Sequence, residues 1–190
     1  METFATQTPL EGVVVIDIKY FRDERGFFIE NYHKQRFAEV CITDDFVQDN
    51  HSRSSVKVLR GMHYQNMTAP MGKLVRCTQG AIFDAAVDLR VGSPTFGKWF
   101  GIELTAENMK QIFVPAGFAH GFVTLSELAE VQYKCTGFYT PPSEGTLAWN
   151  DPAVGIAWPI KDPVLSKRDS NGMTLRQYLE NPAFHYQGKG

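Results

Sequence analysis

The sequence predicts an all-β protein, a sandwich or closed barrel with a few short helices. Short runs rich in Val, Ile and Phe recur from one end to the other. Turn signals full of Gly, Pro, Ser and Asp separate them, and only two stretches show a helical period.

The elements follow in chain order. Strands are predicted at 12–17 (GVVVID), 27–32 (FFIENY), 57–59 and 73–77 (KLVRC), then at 81–89, 98–104, 111–114, 120–125 and 130–138. RDERG, NMTAPMG, TQG, RVGSPTFG and YTPPSEG interrupt them with residues that favour turns. A short helix is predicted near 34–40. A second covers 174–180, where Leu175, Tyr178 and Leu179 share a face. No Ser- or Pro-rich linker, repeat or low-complexity tract divides the chain, so one domain is expected over residues 1–190.

Composition narrows the function classes. With 190 residues, 43% hydrophobic and 21% charged, the chain can bury a sizeable core, which excludes the disordered and membrane classes. The formal net charge is -2 and no basic cluster stands out, so nucleic acid is not an expected partner. The first residues lack a basic segment followed by an apolar one, and no apolar run approaches the ~18 residues of a membrane span. Three widely spaced cysteines, with no CxxC pair, argue against a disulfide framework or structural zinc. A cytoplasmic protein is expected.

Two polar segments stand out. In QDNHS, Gln48, Asn50 and Ser52 sit two apart, so a strand would point them to one side; an ordinary solvated face would look the same. LRGMHYQ places Arg60, Gly61, His63, Tyr64 and Gln65 within seven positions. Strict alternation puts His63 and Gln65 on one face and Arg60 on the other, unless Gly61 marks a bulge that re-aims one of them.

VPAGFAHGF, residues 114–122, is more specific: Pro-x-Gly-x-x-His before an apolar strand resembles the second motif of the cupin superfamily. In metal-binding cupins the first motif supplies two His and a carboxylate. Here Gln65 stands at the second His, and no acidic residue occurs from Asn66 through Ala81. A metal of N and O ligands needs about three protein ligands, so no metal is expected.

FRDERGFFIENY, QDNHSRSS, VLRGMHYQ, GKLVRC, GAIFDAAVDLR, SPTFGKW, VPAGFAHGF and WNDP…WP…LSKRD resemble, in that order, the dTDP-4-dehydrorhamnose 3,5-epimerase family across roughly residues 10 to 170. The resemblance implies a homodimeric cupin-type β-jelly-roll with no cofactor, inverting C3 and C5 of a dTDP-4-keto-6-deoxyhexose. Near relatives invert C5 only or C3 only. The other competing classes are a metal-dependent cupin, such as a dioxygenase, and a non-catalytic sugar-nucleotide-binding cupin.

Removing a proton beside a ketone requires a base, a cation or donor at the carbonyl oxygen, and an acid on the other ring face. By resemblance His63 is the base, Asp169 its orienter, Lys73 the cation near the C4 oxygen and Tyr133 the proton donor. Arg60 is implied at the diphosphate, for which a planar guanidinium is well suited. Arg25, Phe27 and Glu30 fall in the family's nucleotide-contacting segment, and Gln48, Asn50, His120 and Glu144 at further substrate contacts. Tyr139 falls where relatives stack a ring on thymine. Arg168 replaces the Lys common in the family and keeps its charge. Without the resemblance each residue has a plainer reading: His63 as a structural histidine, Tyr133 and Tyr139 as packing, Asp169 as half of a surface ion pair. Hydrophobicity alone also assigns Phe27, Phe28, Phe118 and Phe122 to the core.

Overall fold

Alternation along the strands decides which side chains meet. In the computed structural model, which describes residues 2–188, the chain runs through β1 (Thr3–Gln7), β2 (Val14–Ile18), β3 (Phe21–Asp23), β4 (Gly26–Phe28) and helix α1 (Lys34–Glu39). It continues through β5 (Gln48–Ser55), β6 (Leu59–Gln65), β7 (Lys73–Gln79), β8 (Ala81–Asp88), β9 (Arg90–Val91), β10 (Trp99–Thr105) and β11 (Gln111–Val114). The last elements are β12 (Phe118–Thr124), β13 (Leu128–Cys135), β14 (Glu144–Thr146), α2 (Leu175–Tyr178) and β15 (Phe184–His185).

Two sheets form the cupin-type jelly roll. One has the order β1-β2-β11-β7-β13-β5 and the other β10-β8-β12-β6-β14. Between them pack Val75, Ile82, Ala86, Leu104, Ile112, Phe118, Phe122 and Val131. Phe118 and Phe122 are buried, as their sequence predicts, and each such side chain contributes about 1.5–3 kcal/mol relative to exposure. Each sheet is also covered on its far face, by Phe37 of α1 on one side and by Leu175 and Tyr178 of α2 on the other. Burial on both faces explains why β12 is buried along its whole length and shows no polar alternation. Thr174 and Gln177 close a capping box that starts α2.

Several expectations need correction. Of 27–32 only the end of the β3–β4 hairpin is strand, and Phe27 and Phe28 are not core but 55% and 68% exposed. The strand expected at 57–59 begins at Leu59 and carries the whole LRGMHYQ segment. Leu179 leaves the shared face of α2 and is exposed. β5, too polar to register as a hydrophobic strand, is the edge of the six-stranded sheet. Its Gln48, Asn50, Ser52 and Ser54 turn inward while Asp49, His51, Arg53 and Ser55 face out. Among the described residues, no helix is long and apolar enough to cross a membrane.

β6 carries the bulge that Gly61 suggests. His120 pairs with His63 and Phe122 with Arg60, so a two-residue step on β12 faces a three-residue step on β6. The backbones nearly touch there. Gly61 has φ +147°, and a Cβ on it would lie 2.6 Å from the Gly121 Cα; one on Gly121 would meet the Arg60 carbonyl at 2.7 Å. The extra residue puts Arg60 in phase with His63, and both line one cavity.

Candidate active site

Two adjoining cavities of about 360 and 250 Å³ share His63, Lys73, Tyr133 and Arg168. The first adds Gln48, Asn50, Gln65, Tyr139 and Glu144; the second adds Ser52, Arg60, His120 and Asp169. His63 and His120 come from the five-stranded sheet, Lys73 and Tyr133 from the six-stranded sheet. The two sheets therefore present their polar groups to a bound molecule from opposite sides. A third cavity, of about 390 Å³, contains neither His63 nor Lys73.

His63 Nε2 lies 2.5 Å from Asp169 Oδ1. Only a ring N–H can donate to this carboxylate, so the bond assigns the proton to Nε2 and the lone pair to Nδ1. Burial lowers the His63 pKa, and the nearby Lys73 and Arg168 charges add to the effect; the Asp169 bond and charge oppose it without reversing it. The imidazole is consequently neutral at pH 7. For Asp169, burial pulls the pKa up, but the His63 bond and charge, Ser166 and Arg168 together hold it below the ordinary value.

Arg168 contacts the same ring, with Nη2 3.3 Å from Nδ1 and 2.9 Å from Nε2, and also pairs with Glu144. Lys73, half-buried, makes no hydrogen bond or ion pair among the described residues, and burial lowers its pKa despite Cys135, Asp84 and Glu144 nearby. Burial also raises the Tyr133 pKa, so its phenol keeps its proton at neutral pH.

The rest of the rim is set by amide side chains. Gln65 donates to the Ala69 and Phe138 carbonyls at 2.7 and 3.2 Å and accepts from Thr140 N–H at 2.7 Å. Two of these bonds tie it to the loop that carries Tyr139 and the third to the β6–β7 connection. Gln48 accepts from the Tyr139 N–H at 3.0 Å and donates to Asn50 at 3.1 Å. Tyr139 itself is 52% exposed and donates to Glu144 at 3.1 Å. Arg60 is steered by Ser54, whose hydroxyl accepts from Nε at 2.9 Å.

Eleven of the fourteen residues singled out from the sequence come together here: His63, Lys73, Tyr133, Asp169, Gln48, Asn50, Arg60, His120, Tyr139, Glu144 and Arg168. Arg25, Phe27 and Glu30 do not. Arg25 is bound to Asp23 on the exposed hairpin, Phe27 lines a separate hollow with it, and Glu30 pairs with Arg36. Sequence reading missed Asp84, which is fully buried and has both oxygens 2.9 Å from His120 Nε2. Its signal was there: an acid inside the apolar strand AIFDAAVD. Among the described residues, no group of three or more His, Cys, Asp or Glu could hold a metal ion.

Fold and site together define a jelly-roll isomerase of the cupin type. The sequence profile of the dTDP-4-dehydrorhamnose 3,5-epimerase family matches residues 7–177, and the chain belongs to that family. The dTDP-4-dehydrorhamnose 3,5-epimerase of Salmonella typhimurium is 52% identical over 177 residues, covering 91% of this chain and 96% of its own. The crystal structure of a dTDP-6-deoxy-D-glucose-3,5-epimerase from Legionella pneumophila, in complex with dTDP-4-keto-L-rhamnose, matches with a TM-score of 0.94 at 44% identity. It covers 98% of this chain and 100% of that one. A dTDP-4-dehydrorhamnose 3-epimerase from Streptomyces niveus is 38% identical over 169 residues, covering 88% of this chain and 82% of its own.

Proposed function

We propose that this protein inverts C3 and C5 of a dTDP-4-keto-6-deoxy-D-glucose, making the dTDP-4-keto sugar that precedes dTDP-L-rhamnose. The observation that carries the reading is the placement of a neutral His63 and a protonated Tyr133 on opposite sheets around one cavity. His63, held in one tautomer by Asp169, removes the proton beside the ketone. Lys73 stabilises the oxygen as it gains charge, and Tyr133 returns a proton from the other face. Lys73 suits that task because, among the described residues, no carboxylate forms an ion pair with it.

Arg60 holds the diphosphate, and Tyr139 stacks on the thymine, with Gln48, Asn50, His120, Glu144 and Arg168 as further contacts. Neither metal nor cofactor takes part; the three hydrogen bonds that occupy the Gln65 amide within the protein support this. The protein acts as a homodimer in which Arg25, Phe27 and Glu30 serve the partner subunit's site. Phe21, Phe27 and Phe28, 66%, 55% and 68% exposed on one hairpin, support that reading, because such a patch is unusual on a monomer. Its three free cysteines fit the cytoplasm.

The test is proton NMR of the reaction with dTDP-4-keto-6-deoxyglucose in deuterated water. Exchange and inversion at both C3 and C5 are expected. Inversion at C3 alone would favour the activity for which the Streptomyces niveus relative is named. No exchange at either carbon would overturn the proposal.

A further inference from the structure

β5 turns four polar side chains inward, and three have work within the protein. Gln48 holds Tyr139, the Asn50 amide donates to the Cys135 sulfur at 3.4 Å, and Ser54 holds Arg60. Ser52 does not. Among the described residues its Oγ is buried without a hydrogen-bond partner, and the residue lines the cavity that also contains Arg60, His63, Lys73 and Tyr133. A folded protein rarely leaves a buried hydroxyl unpaired, because the group loses its water without compensation.

Its position says what would pair with it. Asn50 lies opposite Tyr133 across the β5–β13 ladder and Ser52 opposite Val131, one inward step further along. The next inward step is Ser54, which carries Arg60. Ser52 therefore stands between the phenol that serves the sugar and the guanidinium that serves the diphosphate. The group joining those two parts of the ligand is the phosphate attached to the sugar.

We propose that Ser52 is a substrate-contacting residue whose hydroxyl donates to an oxygen of that sugar-linked phosphate. The inference rests on the function proposed above, because it takes the ligand to be a nucleoside diphosphate sugar. It makes an unusual demand of the Ser52→Ala variant. A hydroxyl that supports the fold weakens the protein when deleted, whereas one kept unpaired for a ligand leaves it as stable or more so.

The experiment measures thermal midpoint, kcat, KM and the calorimetric affinity for two probes, dTDP and dTMP. dTMP lacks the second phosphate, the one that bears the sugar in the substrate. For Ser52→Ala we expect an unchanged or raised midpoint, kcat within a few-fold, and KM and the dTDP Kd raised roughly tenfold, the loss typical of a hydrogen bond to a charged group. The dTMP Kd should not move, and Ser52→Thr should recover most dTDP affinity. A lowered midpoint with unchanged dTDP binding would make the hydroxyl structural and overturn the inference. Equal weakening of dTDP and dTMP would move the contact to the first phosphate, and a raised KM with unchanged dTDP binding would move it to the sugar; either overturns the assignment. Wild-type protein that binds no dTDP would overturn the proposed function and this contact together. Normal wild-type binding with an indifferent Ser52→Ala overturns the contact alone.

Discussion

Two histidine–aspartate pairs lie side by side in this site, on directly paired residues of β6 and β12. His120 takes its carboxylate from the neighbouring strand, where both Asp84 oxygens lie equally far from one nitrogen. His63 takes its carboxylate from a short helical turn near the end of the chain, and that carboxylate also sits beside Arg168. The first pair is set by the sheet and moves only with it. The second depends on how the 166–171 segment docks. It is also the pair whose ring contacts a long, half-exposed side chain that lines the cavity, Arg168. One arrangement fixes a ring as part of the wall; the other leaves a ring adjustable between a carboxylate and an arriving ligand.

If that division is right, His63→Ala gives the largest effect. Turnover should fall by at least the ~10²–10⁴ typical of a general base, with the thermal midpoint little changed. His120→Ala should act mainly on KM; a loss of kcat equal to that of His63→Ala would break the comparison. Tyr133→Phe comes next. A base alone can wash solvent deuterium into the sugar without inverting it, so this variant should keep exchange and lose most inversion by NMR. Lys73→Ala should suppress both, since the enolate then forms without its cation.

The carboxylates give smaller and opposite signatures. Asp169→Asn should lower kcat by roughly ten- to a thousandfold, less than the extreme seen when a catalytic triad loses its carboxylate. Asp84→Leu should show its main effect in stability, about 1–3 kcal/mol, by leaving a buried ring nitrogen unpaired. The smallest effect is a shift along the pH axis. The base proposed at His63 works only when neutral, so activity should fall as pH drops through the His63 pKa, and burial sets that limb below the ordinary ~6.5. Asp169 raises the His63 pKa, so Asp169→Asn should carry the acid limb to still lower pH. Asp84→Asn should leave the limb in place. At the alkaline end, activity falls as Lys73 loses its proton, at a pH below the ordinary ~10.4 because burial lowers its pKa.

Much of this is legible in the sequence. Turn chemistry and β-rich runs mark most central strands, and the glycine of LRGMHYQ signals the bulge, whereas the role proposed for His63 comes from the family resemblance. What stayed hidden has physical causes. β5 escapes a hydrophobic search because its inward row lines a polar cavity. Phe27 and Phe28 read as core because hydrophobicity alone does not tell the exposed face of a hairpin from an interior. The union of His63 with Asp169, 106 positions later, is tertiary, and no local pattern carries it. Asp84 could have been suspected from its apolar strand, but its partner could not be chosen without the register of β8 against β12.

The bulge at Gly61 makes β6 a strand of two parities. Upstream of it the even position, Arg60, faces the cavity; downstream the odd positions, His63 and Gln65, do. Deleting or inserting a single residue between 60 and 63 would leave every side chain chemically intact and yet turn one end of the strand inside out. The segment therefore tolerates exchange only as a block. A graft of the His63 motif into another jelly roll needs to bring the bulge, and a glycine at 121 on the facing strand, along with it.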